Sequence, residues 1–490
     1  MGESNTRAVV HFCMAQQAIS AEQLEQFEAE FHGDLIRVGD ADYDNARLVW
    51  NGIIDKRPAL IARCRGVKDV ISAVDSAREN DLLVAVRGGG HNVAGTAVCD
   101  DGLVIDLSEM RSVRVDPDAR TAWVQAGATW ADVDHETQAF GLATPGGAVS
   151  ETGVAGLTLG GGIGHLRCKY GLTCDNLASV NLVTADGDYL TASEDENPVL
   201  FWGLRGGGGN FGVVTDFEFD LHPVGTDVAI CLVFYSGDRM VEVLEAYLDY
   251  VADAPPEVSL LTLSGVIPDE EIFPADTVDE LKIAIAGCYA GSVADGERAL
   301  APLREIAEPI ADFSGPMPYV EFQQLFDEDY PAGMRYYWKS LYLDGLSESA
   351  IDRIVYWSDV APSPLSTVDV WQLGGAIAQV GVEDSAFAGR HAPFLLGVEA
   401  NWERPEDDDA NVEWVRDCLD DMRQFSDGSV YLNFPGFLEE GDDMMRSTFG
   451  PKYKRLIALK DEYDPTNLFR LNQNITPSEN AQADGRECHE

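Results

Sequence analysis

Lysine is almost missing from this sequence. Its 490 residues include 8 lysines and 26 arginines, 34 basic residues in all, against 84 Asp plus Glu. The formal net charge is −50 at pH 7. A field of that sign repels phosphate, which excludes non-specific nucleic-acid binding and docking on anionic lipid. The acids are dispersed from the amino-terminal region to the DDMRQ segment, not gathered into one tail. Dispersed acid with little lysine reads as the surface of a protein adapted to molar salt, where the Debye length falls to about 3 Å and self-repulsion is screened.

Other absences narrow the class. No run approaches the roughly 18 apolar residues of a membrane span. The start, MGESNTRAVVHFCMAQQ, shows no charged-then-apolar leader and no twin arginine, so a cytoplasmic protein is expected. Nine cysteines are scattered with no C-x-x-C pair, which reads as reduced thiols with no zinc site. There is no P-loop string and no HExxH. DADYDNARLVWN begins like a calcium loop but has Asn45 for the turn glycine and Asn51 for the bidentate glutamate. Gly207, Gly209 and Gly212 spell a dinucleotide fingerprint. The helix-like PVLFWGL precedes it and the strand-like VVTDFEF follows, the reverse of the Rossmann order.

What is present is a chain able to build a core, with 45% hydrophobic and 9% aromatic residues. From Leu60 to about Pro223, strand-length apolar runs alternate with glycine clusters. WADVDHETQAFG has helical spacing, and ASVNLVTADGDYLTA reads as a hairpin turning at Asp186-Gly187. Beyond His222-Pro223 the glycine clusters stop. Long strands then alternate with amphipathic helices, which suggests an antiparallel sheet backed by helices on one face. GSVYLNF reads as a strand, KYKRLIALKDEYDP as a helix and LFRLNQNI as a strand or loop.

Three glycine clusters carry the chemistry. They are Arg87-Gly88-Gly89-Gly90-His91-Asn92, Gly160-Gly161-Gly162-Ile163-Gly164 and Arg205 through Gly212. Consecutive glycines let backbone N–H groups converge on an anion without Cβ obstruction. Three in one stretch suit a large diphosphate cofactor lying across several loops. The loops themselves contain no Asp or Glu.

Read in order, RGGGHNVAG, GLATPGGAVSETGVAGLTLGGGIG, KYGLTCDNL, LRGGGGNFGVVT, YLNF and KDEYDPTNLFRLNQNI resemble the berberine bridge enzyme-like FAD-linked oxidases. That family has the p-cresol methylhydroxylase and vanillyl-alcohol oxidase type of FAD-binding fold. The resemblance spans residues 43 to 477. It implies an α+β protein with a two-subdomain FAD-binding domain and a substrate domain whose antiparallel sheet is backed by helices. The expected division is an extension (1–42), the first FAD-binding part (43–223), the substrate domain (224–427), a closing segment (428–477) and a tail (478–490).

The resemblance also implies roles. His91 takes the place of the histidine bonded covalently to FAD, and Arg87, Gly88, Gly89, Gly90 and Asn92 line the pyrophosphate. Thr152, Gly153, Gly156, Gly161, Gly162, Asp175, Asn176, Gly208, Gly212 and Val214 are further FAD contacts. Some relatives carry a second tether through a cysteine; the matching slot is Val149 beside Ser150, so a single covalent bond is expected. Cys168 and His165 depart from the family pattern. Tyr431 matches the family's catalytic base and Asn433 its flavin contact, with Asn472 and Gln473 near the ring. A tyrosine has a pKa near 10 and needs help to act as a base at neutral pH. Arg335, Tyr337 or Lys339 are candidates to hold the tyrosinate or the substrate. The implied activity is an oxidase moving a hydride from a small alcohol, sugar or amine to FAD, with O2 as acceptor. The alternatives are a dehydrogenase with another acceptor and a non-catalytic flavin-binding protein.

Overall fold

Ser20 opens the described chain by capping α1 (Ala21–Glu30): its hydroxyl accepts from the Gln23 N–H while the Gln23 side chain accepts from the Ser20 N–H. The computed structural model describes residues 20–267, 273–275 and 277–479, so the first nineteen residues and the tail from 480 lie outside the described residues. The first sheet joins β1 (Asp34–Arg37), β2 (Leu60–Arg63), β3 (Val84–Arg87) and β4 (Leu103–Asp106) in the order β1-β2-β4-β3. Its last three strands run parallel, and β1 pairs antiparallel with β2 from Asp34↔Arg63 to Arg37↔Leu60. The segment expected as an extension before residue 43 is thus partly an edge strand of this sheet; four residues are too few to reveal a period. The sheet is covered by α2 (Val67–Glu79), which buries Val70, Ala73, Val74 and Ala77 on one helical stripe.

The second sheet is antiparallel throughout. It comprises β5 (Val113–Asp116), β6 (Thr121–Gln125), β7 (Leu177–Val183), β8 (Tyr189–Ser193) and β9 (Val213–Asp220), ordered β5-β6-β9-β7-β8. Between β6 and β7 lie α3 (Trp130–Gln138) and α4 (Val154–Leu159), and between β8 and β9 lies α5 (Pro198–Leu204). The β7–β8 hairpin turns where expected, with Gly187 at φ +85°.

The third sheet is built from β10 (Asp227–Ser236), β11 (Val258–Val266), β12 (Leu281–Tyr289), β13 (Arg335–Leu343), β14 (Thr367–Gln372) and β15 (Phe394–Trp402). They follow the order β10-β12-β11-β14-β15-β13, with every pairing antiparallel. Helices α6 (Met240–Ala252), α7 (Val293–Leu300), α8 (Glu348–Asp359) and α9 (Asp408–Met422) pack against it. Every residue of β15 is nevertheless buried, because the face away from α9 is covered by the glycine loops.

The chain then closes over those loops through α10 (Gly441–Phe449) and α11 (Tyr453–Tyr463). One sequence expectation changes here and an open one is decided. YLNF is a turn and not a strand: Phe434 N–H donates to the Tyr431 carbonyl at 3.0 Å, and Tyr431 N–H goes to the Ser340 hydroxyl at 3.1 Å. LFRLNQNI is a loop, because the Leu468 and Phe469 N–H groups are taken by the Asp464 carboxylate at 2.7 and 2.9 Å. Asp464 also pairs with the fully buried Lys460 at 2.6 Å, and Lys460 reaches the Asn210 and Phe469 carbonyls at 2.9 and 3.0 Å. This satisfied pair fixes the end of α11 to the third glycine loop. Among the described residues no helix is long and apolar enough to cross a membrane.

A further buried acid lies on α3, outside the cavity. Asp134 on α3 meets the Gln323 amide at 3.2 Å, and burial pushes its carboxyl up to about 7. The unfolded chain titrates it near 3.9, so its contribution to stability is present at low pH and is lost as pH rises from about 4 through about 7. Asp134→Asn should flatten that loss. Thermal unfolding of both proteins between pH 5 and 8, at fixed salt, checks this through a difference in midpoint that grows with pH.

Candidate functional site

A cavity of about 260 Å³ runs between the glycine loops and the bare face of the third sheet. Its first wall begins where β3 ends in Arg87. Gly88, Gly89 and Gly90 carry the chain past the second sheet, and a Cβ on Gly89 would stand 2.5 Å from the Gly153 Cα. The reverse is equally tight, since a Cβ on Gly153 would stand 2.5 Å from the Gly89 nitrogen. The two loops can cross only as glycine on glycine. That crossing puts His91 and Asn92 on one wall and Thr152, Gly153 and Gly156 on another.

His91 stacks on Trp50, ring centroids 4.0 Å apart, and Trp50 stacks on Tyr336 at 3.7 Å. Burial pushes the His91 imidazole down to about 4, so it is neutral at physiological pH. Its Nε2 is buried without a hydrogen-bond partner, as is the Asn92 Oδ1. Asn51, from the false calcium loop, stitches this wall to the third sheet. Its amide donates to the Val93 and Tyr336 carbonyls at 2.8 and 2.9 Å and its oxygen accepts from the Tyr336 N–H at 3.1 Å.

The far wall comes from the closing segment. The Tyr431 oxygen accepts from the Ile163 N–H at 3.1 Å and from the Asn433 amide at 2.8 Å. Two donors favour a phenolate, yet burial outweighs them and pushes Tyr431 up to about 12. The Gln473 amide donates to the Leu432 carbonyl at 2.6 Å and the residue lines the cavity with Gly208, Gly212 and Val214. Asn210 holds this side together, donating to the Gln473 carbonyl at 3.0 Å and accepting from the Ile475 N–H at 2.9 Å.

The family model for an FAD binding domain matches residues 58–193, and that for berberine and berberine-like proteins matches residues 430–476. An FAD-linked oxidoreductase of Dictyostelium discoideum is 31% identical over 473 residues, covering 95% of this chain and 99% of that one. The (R)-6-hydroxynicotine oxidase of Paenarthrobacter nicotinovorans is 32% identical over 466 residues, covering 91% of this chain and 97% of its own. The crystal structure of 6-hydroxy-D-nicotine oxidase from Arthrobacter nicotinovorans superposes with a TM-score of 0.82 at 29% identity, covering 91% of this chain and 98% of that chain. This chain belongs to the berberine-bridge-like FAD-linked oxidoreductases. It is an α+β enzyme with an FAD-binding domain and a helix-backed antiparallel sheet.

The residues of this oxidoreductase fit FAD. Gly156 and Gly209 both line the cavity, and a Cβ on either would meet nothing within 4 Å. The orphaned His91 Nε2 and Asn92 Oδ1 need partners that a bound ring system and ribityl chain can supply. Val149 lines the cavity at the slot of the second tether. Ser150 beside it is pinned, its N–H and hydroxyl donating to Asp327 at 2.8 and 2.6 Å.

Several expected contacts lie off the cavity, each for a visible reason. Arg87 is spent on Asp106, at 2.7 Å, holding β3 to β4. Asp175 is held by the buried Arg390 at 3.0 Å, and Asn176 donates to the Tyr170 and Leu172 carbonyls at 2.9 and 2.7 Å. The Gly161 and Gly162 carbonyls accept from Cys174 and Thr173 N–H, both at 2.9 Å, closing their own loop. Asn472 buttresses the third glycine loop through the Gly209 carbonyl at 2.9 Å. Arg335, Tyr337 and Lys339 face α9 and the closing segment instead of the cavity. Arg335 pairs with Asp408, Tyr337 donates to Glu439, and Lys339 reaches Glu440 at 2.6 Å. His165 packs at a tilt against Phe322, ring centroids 4.4 Å apart, and the Cys168 N–H donates to the Ser259 hydroxyl at 3.1 Å, so both pack behind the site.

The sheet face contributes residues that the motifs did not reveal. Register places Thr367 opposite Glu399, and Glu399 opposite Trp338; Asp369 lies opposite Gly397. Asp369, Trp371, Glu399, Trp338 and Tyr330 therefore share the cavity. One signal could have found them: Asp369 in TVDVWQ and Glu399 in FLLGVEANW are lone acids inside otherwise uncharged strand runs.

Gly89→Ala should leave the purified protein without flavin, since the clash is backbone on backbone. Gly156→Val should keep the fold, since α4 tolerates a side chain pointing into open space, but should lower the flavin-to-protein ratio. Flavin absorbance per chain, with circular dichroism for the fold, checks both.

Proposed function

We propose that this enzyme is an oxidase for a small organic substrate, with FAD held by one covalent bond through His91 and dioxygen as final electron acceptor, giving hydrogen peroxide. It works in the cytoplasm at high salt. Residues 43–223 and 428–477 hold the cofactor and 224–427 supply the substrate face. The observation that carries this reading is one continuous cavity with the glycine loops and a neutral, orphaned His91 on one side and Tyr431, Trp338, Asp369 and Glu399 on the other. Bound FAD supplies the two-electron acceptor; the rest is done by the chain.

A neutral imidazole offers the lone pair that a covalent bond needs, and the Trp50 stack fixes its plane. Gly88, Gly89, Gly90, Thr152 and Gly153 line the cavity and would hold the pyrophosphate through backbone. Asn433 and Gln473, and Asn472 through the Gly209 carbonyl, would orient the ring. Tyr431, still a phenol at neutral pH, keeps its proton and gives a hydrogen bond into the cavity, because its oxygen already accepts two. The proton acceptor is Glu399, buried beside the substrate space and raised from its ordinary range chiefly by burial. A base tuned toward neutrality is better matched than a phenol held near 12.

In anaerobic stopped flow, Glu399→Gln should slow flavin reduction by substrate at least ~10²-fold, the lower bound for acid–base catalysis, and Tyr431→Phe by a smaller factor. Reduction unchanged in Glu399→Gln removes it as the base. Mixing the reduced enzyme with air should restore the oxidised spectrum; a flavin that stays reduced in air but is reoxidised by an artificial acceptor marks a dehydrogenase.

A further inference from the structure

The substrate end of the cavity has an unusual balance of charge. Asp369 and Glu399 are 1% and 2% exposed and occupy diagonal positions on one sheet face, which places their Cα atoms about 7–8 Å apart. Glu399 accepts from the Tyr330 hydroxyl at 3.1 Å. The Asp369 Oδ1 has no partner, nor has the indole nitrogen of Trp371 two residues on. The surrounding wall is Trp338, Trp371, Phe326, Phe434, Leu261 and Leu263, with the hydroxyls of Tyr330 and Tyr431 as its polar points.

Among the described residues no cation on the neighbouring elements answers this pair. Arg335 and Lys339 on β13 point to the other side of the sheet, into Asp408 and Glu440. Arg167 lies behind Trp371, 5.2 Å from its ring, with its donors taken by the Gly164, Leu260 and Gln372 carbonyls. His91 is neutral and Tyr431 is a phenol. Asp327 is bound to Ser150, and Asp329 near Tyr330 is an acid as well. Burial, then the charge of Glu399, hold the Asp369 carboxyl well above the usual carboxylate range. Such a pair keeps a proton until a positive ligand replaces it.

We infer that the Asp369–Glu399 pair and its aromatic wall form a recognition site for an organic ammonium ion, so that the substrate is an amine with an apolar body and not a sugar. A carbohydrate would need many donors and acceptors around it, and this wall offers few. An ammonium ion finds two carboxylates and the faces of Trp338 and Trp371, which attract cations. This rests on the oxidase reading and names its substrate. The balance is simple. The ammonium N–H gives its proton to Glu399. The adjacent C–H bond then breaks, its electron pair and hydrogen leaving as hydride to FAD. The C–N bond becomes C=N, and the product leaves as an iminium ion that water hydrolyses.

The test uses the flavin-loaded enzyme, without oxygen, in molar KCl. The probes are N-methylbenzylamine, the equal-sized benzyl methyl ether and cellobiose, read by flavin spectral perturbation and bleaching. Calorimetry in two buffers of different ionisation enthalpy counts protons. The inference expects the amine to bind at least tenfold tighter than the ether, with proton release. Asp369→Asn should weaken the amine at least tenfold and leave the ether unchanged. Equal binding of amine and ether, no effect of Asp369→Asn on the amine, or bleaching by cellobiose alone would overturn it, and the last result would leave the oxidase reading standing. Tight amine binding with proton release, sensitive to Asp369→Asn but without bleaching by any probe, would uphold the ammonium site and count against the oxidase reading.

Discussion

The site depends on a contact between two residues that have no side chains. Gly89 and Gly153 cross at a distance where a single Cβ on either would stand 2.5 Å from the backbone of the other. That crossing joins the loop after β3 to the loop before α4, and so joins the first sheet to the second. His91 lies two residues beyond one glycine and Gly156 three beyond the other. With the loops held apart by a methyl group, neither the histidine nor the open space beside Gly156 would be in place. Close backbone approach of this kind is a reason for glycine that no contact between side chains can replace.

Around this crossing the remaining parts are tied by fully satisfied polar groups. Asn51 bonds the His91 wall to β13. Asp327 holds the loop at Ser150 from the other side. Lys460 and Asp464 lock the closing segment to Asn210 and hence to the third glycine loop. Each is buried or partly buried, and each spends its hydrogen bonds on backbone that a loop leaves unpaired. The acid excess has little part in this. It sits mostly on the outside, while the three glycine clusters contain no acid.

Much of this was legible along the chain. The glycine clusters, His91 and the YLNF segment are local patterns, and local patterns survive in a linear sequence. Parity within β13 was not legible. Arg335, Tyr337 and Lys339 were natural candidates, but side chains alternate across a strand, and the odd positions face α9 while Trp338 faces the cavity and Tyr336 stacks on Trp50. Asp369 and Glu399 were hidden for another reason. They are two acids among 84, and they become neighbours only through the register of β14 on β15. The state of Tyr431 was also out of reach, since it follows from burial and from a backbone donor, Ile163, on a distant segment.

The central claim is that the crossing loops deliver His91 to FAD for one covalent bond. Intact-mass measurement of the denatured protein, followed by peptide mapping, tests it most directly. The account predicts the chain mass plus a single FAD, with the adduct on the peptide containing His91 and absent from His91→Ala. A denatured chain without flavin, or an adduct retained in His91→Ala, would contradict it.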